Sequence, residues 1–351
     1  MKFALVGCGR IAKRHSELLG NNQIKGASLV SVCDVVEQKA NALATSFGVP
    51  YYTDMDQMMQ HEEIDVVCVL TESGNHAKHV TNLAKYGKHI LVEKPMALTL
   101  SDADAMIKAC DENNCKLFVV KQNRFNIPVL KLREALDNNR FGQLVLGTVR
   151  VRWCRDQNYY DQDRWRGTWA MDGGVLTNQA SHHIDLLEWM LGDVESVFAK
   201  STTTLVDIEA ENTAVVTLKF KNGALGIIEA TTATRPKDLE GSISILGEKG
   251  SVEIGGFAVN EMLHWNFTNH EDGDDQVLSQ YSVNPPNVYG YGHKAYYDHV
   301  VESITYDKKQ LVDGLEGRKS LELISAIYES IETSQEVFLR FKPSKCKLGL
   351  K

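Results

Sequence analysis

No stretch of this chain approaches the roughly 18 consecutive apolar residues of a membrane-spanning helix, so no span is expected. A cationic excess is also missing: 46 Asp and Glu against 38 Lys and Arg give a formal net charge of -8. A nucleic-acid partner held through its phosphates therefore has no compositional support. The 7 cysteines are scattered, at positions 8, 33, 68, 110, 115, 154 and 346, with no CxxC spacing. An odd, unclustered set argues against a disulfide framework or a zinc site, and no metal is expected. At the start, MKFALVGCGRIAKRH places a short apolar run before the cationic segment, the reverse of a secretory signal. A cytoplasmic location is expected. Neither internal repeats nor low-complexity segments interrupt the pattern.

What is present is enough for two cored domains: 351 residues, 43% hydrophobic and 24% charged. We place them at 1–122 and 123–351. KFALVG (2–7), ASLVSVCD (27–34), DVVCVL (65–70), HILVEK (89–94) and KLFVVK (116–121) are near-continuous apolar runs. Such runs suit strands covered on both faces of a parallel sheet. Amphipathic segments such as 36–47 and 101–114 separate them, with Ser101 the expected N-cap of the latter. The alternation predicts an α/β, doubly wound parallel sheet.

The first turn of that domain reads Gly7-Cys8-Gly9-Arg10-Ile11-Ala12. Gly7 permits the tight turn, Gly9 lets backbone approach a pyrophosphate, and Ala12 takes the third small position. The amides of Arg10 and Ile11 open the next helix and face the phosphates. Asp34, at the end of the second strand, accepts ribose hydroxyls and repels a 2′-phosphate, which selects NAD over NADP. The nicotinamide end is expected beyond the later strand ends. Thr71, Glu72 and His76, then Glu93 and Lys94, then Gln122 are the candidate lining residues there. Pro95 biases Lys94 toward an extended backbone. A lysine beside a dinucleotide site is a candidate to exchange a proton or to bind a substrate oxygen.

The second part carries a helical pattern at 124–139 and alternating strands at 144–153, 211–220, 224–234 and 241–254. KNG (221–223) and GEKG (247–250) read as hairpin turns. One sheet face should pack on helices. The other, with Val215 and Thr217, is expected to meet a second subunit, giving a homo-oligomer, a dimer or tetramer. Helices at 293–306 and 316–333 follow, and 342–351 reads as a tail.

The GxGxxA start, the EKP tripeptide around Lys94 and the Gly173-Gly174…His182…Asp185 pattern together resemble the glucose–fructose oxidoreductase/inositol dehydrogenase/rhizopine-catabolism family. The resemblance spans essentially the whole chain. It implies an N-terminal Rossmann domain, a C-terminal α+β domain with a large open, mainly antiparallel sheet, and hydride transfer at a sugar or polyol carbon. The stretches 119–126, 158–189 and 287–300 are similar to a narrower group, the UDP-N-acetyl-2-amino-2-deoxyglucuronate dehydrogenases. That likeness implies NAD-dependent oxidation of the 3-hydroxyl of a UDP-linked N-acetyl-glucosaminuronic acid, on the way to bacterial surface polysaccharide. NADH would then either leave or be recycled in place by a 2-oxoacid such as 2-oxoglutarate.

Residue chemistry suits a UDP-sugar substrate. Arg150, Arg152, Arg155, Arg164 and Arg166 stand close together in an otherwise acidic chain, and the planar guanidinium fork fits diphosphate and carboxylate. Tyr159, Tyr160, Trp165 and Trp169 interleave with them and offer stacking surfaces. Arg155, Tyr160 and Arg164 are the candidate substrate contacts; Trp165 and Arg166 reach either substrate or cofactor, while Arg150 and Arg152 fit equally the solvated side of a strand. GYGH (290–293) is either an ordinary helix entry or a set of amides for an anion.

For the proton, Lys94 and His182 are the two candidates. Many relatives carry an aspartate at the position of Asn178, and an asparagine orients groups but relays no proton. We therefore read Asn178, with Gln179 beside it, as positioning substrate, His182 as the base and Lys94 as polarising the oxygen, with the last two roles exchangeable. A helix over 175–191 is predicted to put Asn178, His182 and Asp185 on one side and to turn His183 away into the core. Two other readings stand beside this one: an inositol or simple-sugar dehydrogenase of the same fold, and a non-catalytic NAD-binding sensor.

Overall fold

The computed structural model describes residues 1–282 and 291–340, so the expected tail at 342–351 lies outside the described residues. Six strands form the first sheet: β1 Lys2–Val6, β2 Ser28–Cys33, β3 Tyr51–Tyr52, β4 Val66–Val69, β5 His89–Val92 and β6 Leu117–Val119. They lie in the order β3-β2-β1-β4-β5-β6, every pair parallel, the doubly wound order. Side chains alternate into two cores. Phe3 and Leu5 face helices α1 (Arg10–Gly20) and α2 (Glu37–Phe47), while Ala4 and Val6 face α3 (Met55–His61), α4 (His76–Ala84) and α5 (Leu100–Glu112). Cover on both faces explains the unbroken apolar runs. Thr99, not Ser101, caps α5: its Oγ1 accepts the Asp102 N–H at 3.1 Å.

The second sheet has eight strands: β7 Leu144–Arg152, β8 Val194–Thr202, β9 Thr213–Phe220, β10 Leu225–Thr231, β11 Glu240–Gly247, β12 Gly250–Gly255, β13 Glu261–Phe267 and β14 Val337–Phe338. Their order is β13-β12-β11-β7-β10-β9-β8-β14, antiparallel except for the parallel pair β7–β10. Ala214, Val216, Leu218 and Phe220 of β9 point inward, whereas Val215 is 51% and Leu225 55% exposed on the open face. The sequence reading has no strand at β3, β8, β13 or β14. It also ran the helix at 124–139 too long, for Asn126 is extended (ψ 135°) and α6 covers only Ile127–Asp137, with Pro128 in its first turn.

Two short helices follow, α7 (Gln157–Asp161) and, later, α9 (Val277–Gln280). Between them lies α8 (Ser181–Leu191), which is buried on all sides from Ser181 to Glu188. The chain then returns to the first sheet. Tyr296, Tyr297 and Val300 of α10 (Gly292–Thr305) join the core of Phe3, Leu5 and Phe118. Helix α11 (Gly314–Thr333) packs against α5 and β6 at one end and α8 and β8 at the other. The site described next lies where these elements meet. No described helix is long and apolar enough to cross a membrane.

Candidate active site

Gly7 sits where β1 and β4 diverge, with φ +99°, and a Cβ there would lie 2.7 Å from the Leu70 carbonyl. Only glycine closes that turn. Gly9, by contrast, faces open space, and α1 begins after it with no side-chain cap on its first amides, including those of Arg10 and Ile11. Uncapped N–H groups at an open helix start form a cradle for a pyrophosphate. Asp34 is fixed beside it, accepting the Cys8 N–H and the Val36 N–H, each at 2.8 Å. These residues fit a bound NAD.

At the far side of the crevice Glu93 and Lys94 follow β5. Glu93 is buried, with Oε1 3.0 Å from His15 Nε2 and Oε2 accepting the Lys94 N–H at 3.0 Å. Burial pushes its carboxyl up, yet the His15 hydrogen bond and the neighbouring His293 ring outweigh that and hold it well below the usual carboxylate range. His15 spends its other nitrogen on the Tyr297 hydroxyl at 2.6 Å, so this convergence of two histidines and a glutamate is a hydrogen-bonded brace. His76 has Nδ1 2.7 Å from the Pro95 carbonyl and Nε2 3.0 Å from the Thr71 carbonyl. Both ring nitrogens thus face backbone carbonyls, and the one N–H of the neutral ring donates to one of them, so the residue read as a cofactor contact packs between two strand ends. Thr71 Oγ1 meets His79 Nδ1 at 2.9 Å, and Glu72 accepts from the Asn75 amide at 3.1 Å.

Lys94 extends from this brace and donates from Nζ to the Asn178 carbonyl oxygen at 2.8 Å. Burial lowers its pKa, with Lys121 and Arg166 adding to that and Glu93 and Asp172 opposing it. The chain from 172 to 180 is a turn, and α8 starts only at Ser181, so the predicted helix over 175–191 is corrected. Gly173 has φ +81°, and a Cβ on Gly174 would strike the Glu211 carbonyl oxygen at 2.1 Å; the diglycine therefore commits these residues to a tight turn. Glu211 and Tyr328 hold its other side, accepting the Leu176 N–H at 3.0 Å and bonding Thr177 Oγ1 at 2.8 Å respectively. Burial raises the Glu211 carboxyl to about 7.

His182 in the first turn of α8 is nearly buried, with Nε2 3.0 Å from Gln122 Nε2. Its Nδ1 is buried and has no hydrogen-bond partner among the described residues. Burial, with the Lys94 and Lys121 cations, holds its pKa well below the ordinary histidine value. Facing the Gln122 nitrogen, Nε2 accepts and a neutral ring carries its proton on Nδ1; with the Gln122 amide turned over, Nε2 donates to its oxygen and Nδ1 keeps the lone pair that can take a proton from a hydroxyl. Asp185 does not pair with His182: both of its oxygens accept from Arg124 at 2.8 Å, and Lys121 stands 3.5 Å away. Those cations keep it near 2 despite burial. His183 packs edge-on against Trp153 at 6.0 Å between ring centroids, with neither nitrogen hydrogen-bonded among the described residues.

The arginine-aromatic segment divides into structural and free groups. Arg150 and Arg152 are paired across the sheet, Arg152 with Glu229 at 2.6 Å and Arg150 with Glu240 and Glu253 at 3.8 Å. Arg155 is held by Asp238 at 3.0 Å, and Tyr160 is buried with its hydroxyl 3.0 Å from Thr232 Oγ1. Trp169 leans on Tyr328. Arg166 donates to the Tyr159 hydroxyl at 2.8 Å and lies over the Trp165 ring, while the Gln179 amide reaches the same hydroxyl at 3.5 Å. Arg10 of the glycine turn hydrogen-bonds Gln162, which joins the cradle to this segment. Arg164 is exposed at a shallow cleft of about 490 Å³ lined also by Tyr160, Arg166 and Thr168.

Of GYGH, Gly290 lies outside the described residues, as do 287–289. Gly292 is pressed against the Gln122 carbonyl, 2.2 Å from where a Cβ would stand, and His293 is buried beside Glu93. These two residues are a packed helix entry. The sequence reading missed Asp172, Lys121, Arg124, Glu211 and Tyr328. Asp172 stands directly before the diglycine, and Lys121 and Arg124 flank Gln122, so proximity to the chosen motifs was the available signal.

Residues 1–121 match the oxidoreductase family's NAD-binding Rossmann fold, and residues 133–339 match its C-terminal alpha/beta domain. The WlbA dehydrogenase from Bordetella pertussis, crystallised with NADH and UDP-GlcNAcA, is 40% identical. Its TM-score is 0.89, with 97% of this chain and 99% of that one covered. The corresponding WlbA complex from Chromobacterium violaceum is 42% identical with a TM-score of 0.91, covering 97% and 96%. The myo-inositol 2-dehydrogenase of Thermotoga maritima is 31% identical over 259 residues, 72% of this chain and 74% of the relative.

Proposed function

Because the chain belongs to the glucose–fructose oxidoreductase/inositol dehydrogenase/rhizopine-catabolism family of NAD-dependent oxidoreductases, we propose that it oxidises the 3-hydroxyl of a UDP-linked N-acetyl-glucosaminuronic acid to the 3-ketone. The pathway proposed is synthesis of a bacterial surface-polysaccharide sugar. One observation carries the substrate choice. Arg166, Tyr159 and Gln179 form a connected polar edge beside the Lys94–Asn178 contact, in a chain 40% and 42% identical to two dehydrogenases crystallised with UDP-GlcNAcA. Arginine forks next to aromatic rings suit an anionic nucleotide sugar.

Bound NAD supplies the hydride acceptor, and Gly7, Gly9, the Arg10 and Ile11 amides and Asp34 would hold it. With the Gln122 amide oxygen turned to Nε2–H, His182 Nδ1 takes the hydroxyl proton while the Lys94 ammonium polarises the same oxygen. Asn178 and Gln179 set the substrate's place, and Arg155, Tyr160, Arg164, Trp165 and Arg166 bound it. The exposed apolar residues Val215, Leu225 and Ile227 support a homo-oligomer built on the open sheet face. Recycling of NADH in place by 2-oxoglutarate belongs to the same proposal. A free inositol is the second reading, favoured by the 31% identity to myo-inositol 2-dehydrogenase. The test uses UDP-GlcNAcA deuterated at C3 with NAD. Deuterium in the NADH formed is the expected result; turnover without that label, or none at all, overturns the proposal.

A further inference from the structure

Asp172 has no role in the reading so far, although it is 2% exposed at the centre of the site. Its Oδ2 accepts the Gly167 N–H at 2.9 Å, and its Oδ1 accepts the Asn178 side-chain amide at 2.6 Å. The carboxylate therefore joins the arginine-aromatic segment to the turn before α8. Asn178 is the residue whose backbone oxygen receives the Lys94 ammonium at 2.8 Å. Carboxylate, amide, carbonyl and ammonium form one continuous path. Among the described residues this buried carboxylate has an N–H and an amide as its hydrogen-bond donors, which undercompensates its charge, and an ammonium is the natural counter-charge.

We propose that Asp172 is a positioning residue for the reaction: it fixes Asn178, and so the seat of Lys94, and adds its negative charge to that of Glu93 on the side of the site that faces the Lys94 ammonium. The groups facing Lys94 are Glu93 and Asp172 on the negative side and Lys121 and Arg166 on the positive side, with His182 alongside. Asp172 itself faces Lys94 and Arg166, with Glu211 and Tyr160 nearby. Burial raises the Asp172 carboxyl, while Gly167, Asn178, Lys94 and Arg166 pull it back. The 2.6 Å hydrogen bond separates this role from that of a plain loop staple, because the charge can be moved across it.

The inference rests on the proposed function, and the experiment separates the two. In D172N the pH midpoint of Lys94 acylation, read by mass spectrometry on the full chain, is expected to fall by on the order of one unit. Turnover of UDP-GlcNAcA is expected to drop about tenfold or more, and the basic limb of its pH profile to move acidward, since an unsupported ammonium deprotonates sooner. NAD affinity is expected to stay within about twofold, since Asp172 lies away from the glycine cradle. The exchange variant D172N/N178D puts the carboxylate on the other side of the same bond, and it is expected to restore the midpoint and most of the turnover. An unchanged midpoint in D172N, or an exchange variant no better than D172N, overturns the inference and leaves a loop staple. Should D172N not fold, Asn178→Ala breaks the tie and spares the charge. Turnover should then fall with the Lys94 midpoint held, and unchanged turnover overturns the inference. If the wild-type chain does not turn over UDP-GlcNAcA, the function proposal fails, while the acylation midpoint still decides the role of Asp172.

Discussion

The Lys94 ammonium rests on the backbone oxygen of Asn178 at 2.8 Å, which joins the end of β5 in the first sheet to the turn that opens α8 against the second. The two halves of the chain meet at a cation and a carbonyl, and His182 lies just beyond, in the first turn of α8.

Lys94→Met and His182→Ala should each slow single-turnover NADH formation by roughly 10²–10⁴-fold, the usual weight of a positioned acid–base group. NAD affinity should change little, because neither side chain belongs to the Gly7–Gly9 cradle. Stopped-flow absorbance with saturating NAD measures the first and a fluorescence titration the second. Full-rate turnover by either variant would remove that residue from the assignment.

Gln122 decides how His182 works. With its amide oxygen toward Nε2–H, Nδ1 keeps a lone pair for the substrate proton; with its nitrogen there, Nδ1 is a donor. Gln122→Glu presents an oxygen in either orientation and places a negative charge beside a ring that also faces Lys94, Lys121, Glu93 and Asp185. A carboxylate raises an imidazole pKa, and the base works only when unprotonated. The acidic limb of the kcat profile should therefore move to higher pH. A limb that stays in place or moves lower would rule out His182 as the base.

His183 should behave as its neighbour does not. Burial lowers it from 6.5 to about 4, so the folded state keeps it neutral. Because the folded pKa is depressed, this contribution to stability is present above 6.5 and is lost as pH falls through about 4, up to about 3 kcal/mol in all. His183→Leu removes the titration and two unpartnered nitrogens. Its turnover should stay within about threefold of wild type, with the acid-side loss of stability reduced by that amount in urea titrations at pH 7 and pH 4.5. A steep loss of turnover would place His183 in the chemistry.

The first domain was legible because its evidence is local. A buried parallel strand is an apolar run, and Gly7 and Gly9 are set by the backbone they must adopt or admit. Asp34 and Lys94 could be placed from strand ends alone. The second half hid more. Helix α8 is buried all round, so hydropathy periodicity could not mark a working face, and the helix was extended back through a turn made by Gly173 and Gly174. Asn178 reads from the sequence as a substrate-positioning residue, but its tie to Asp172 through the side-chain amide is set by a fold contact that spacing does not show. Asp185 shares the predicted side of the helix with His182, yet it answers Arg124 and Lys121, contributed by chain some 60 residues earlier. Such pairings depend on which distant segments meet, and no spacing rule carries that.

The central claim is the identity of the oxidised sugar, and a substrate panel tests it most directly. UDP-GlcNAc, UDP-GlcNAcA, UDP-glucuronate and free myo-inositol are offered with NAD, following NADH and 3-keto product, with a parallel series containing 2-oxoglutarate to expose turnover masked by retained NADH. The expected result is 3-keto product from UDP-GlcNAcA and none from myo-inositol. Product from myo-inositol with all three nucleotide sugars inert would contradict the account.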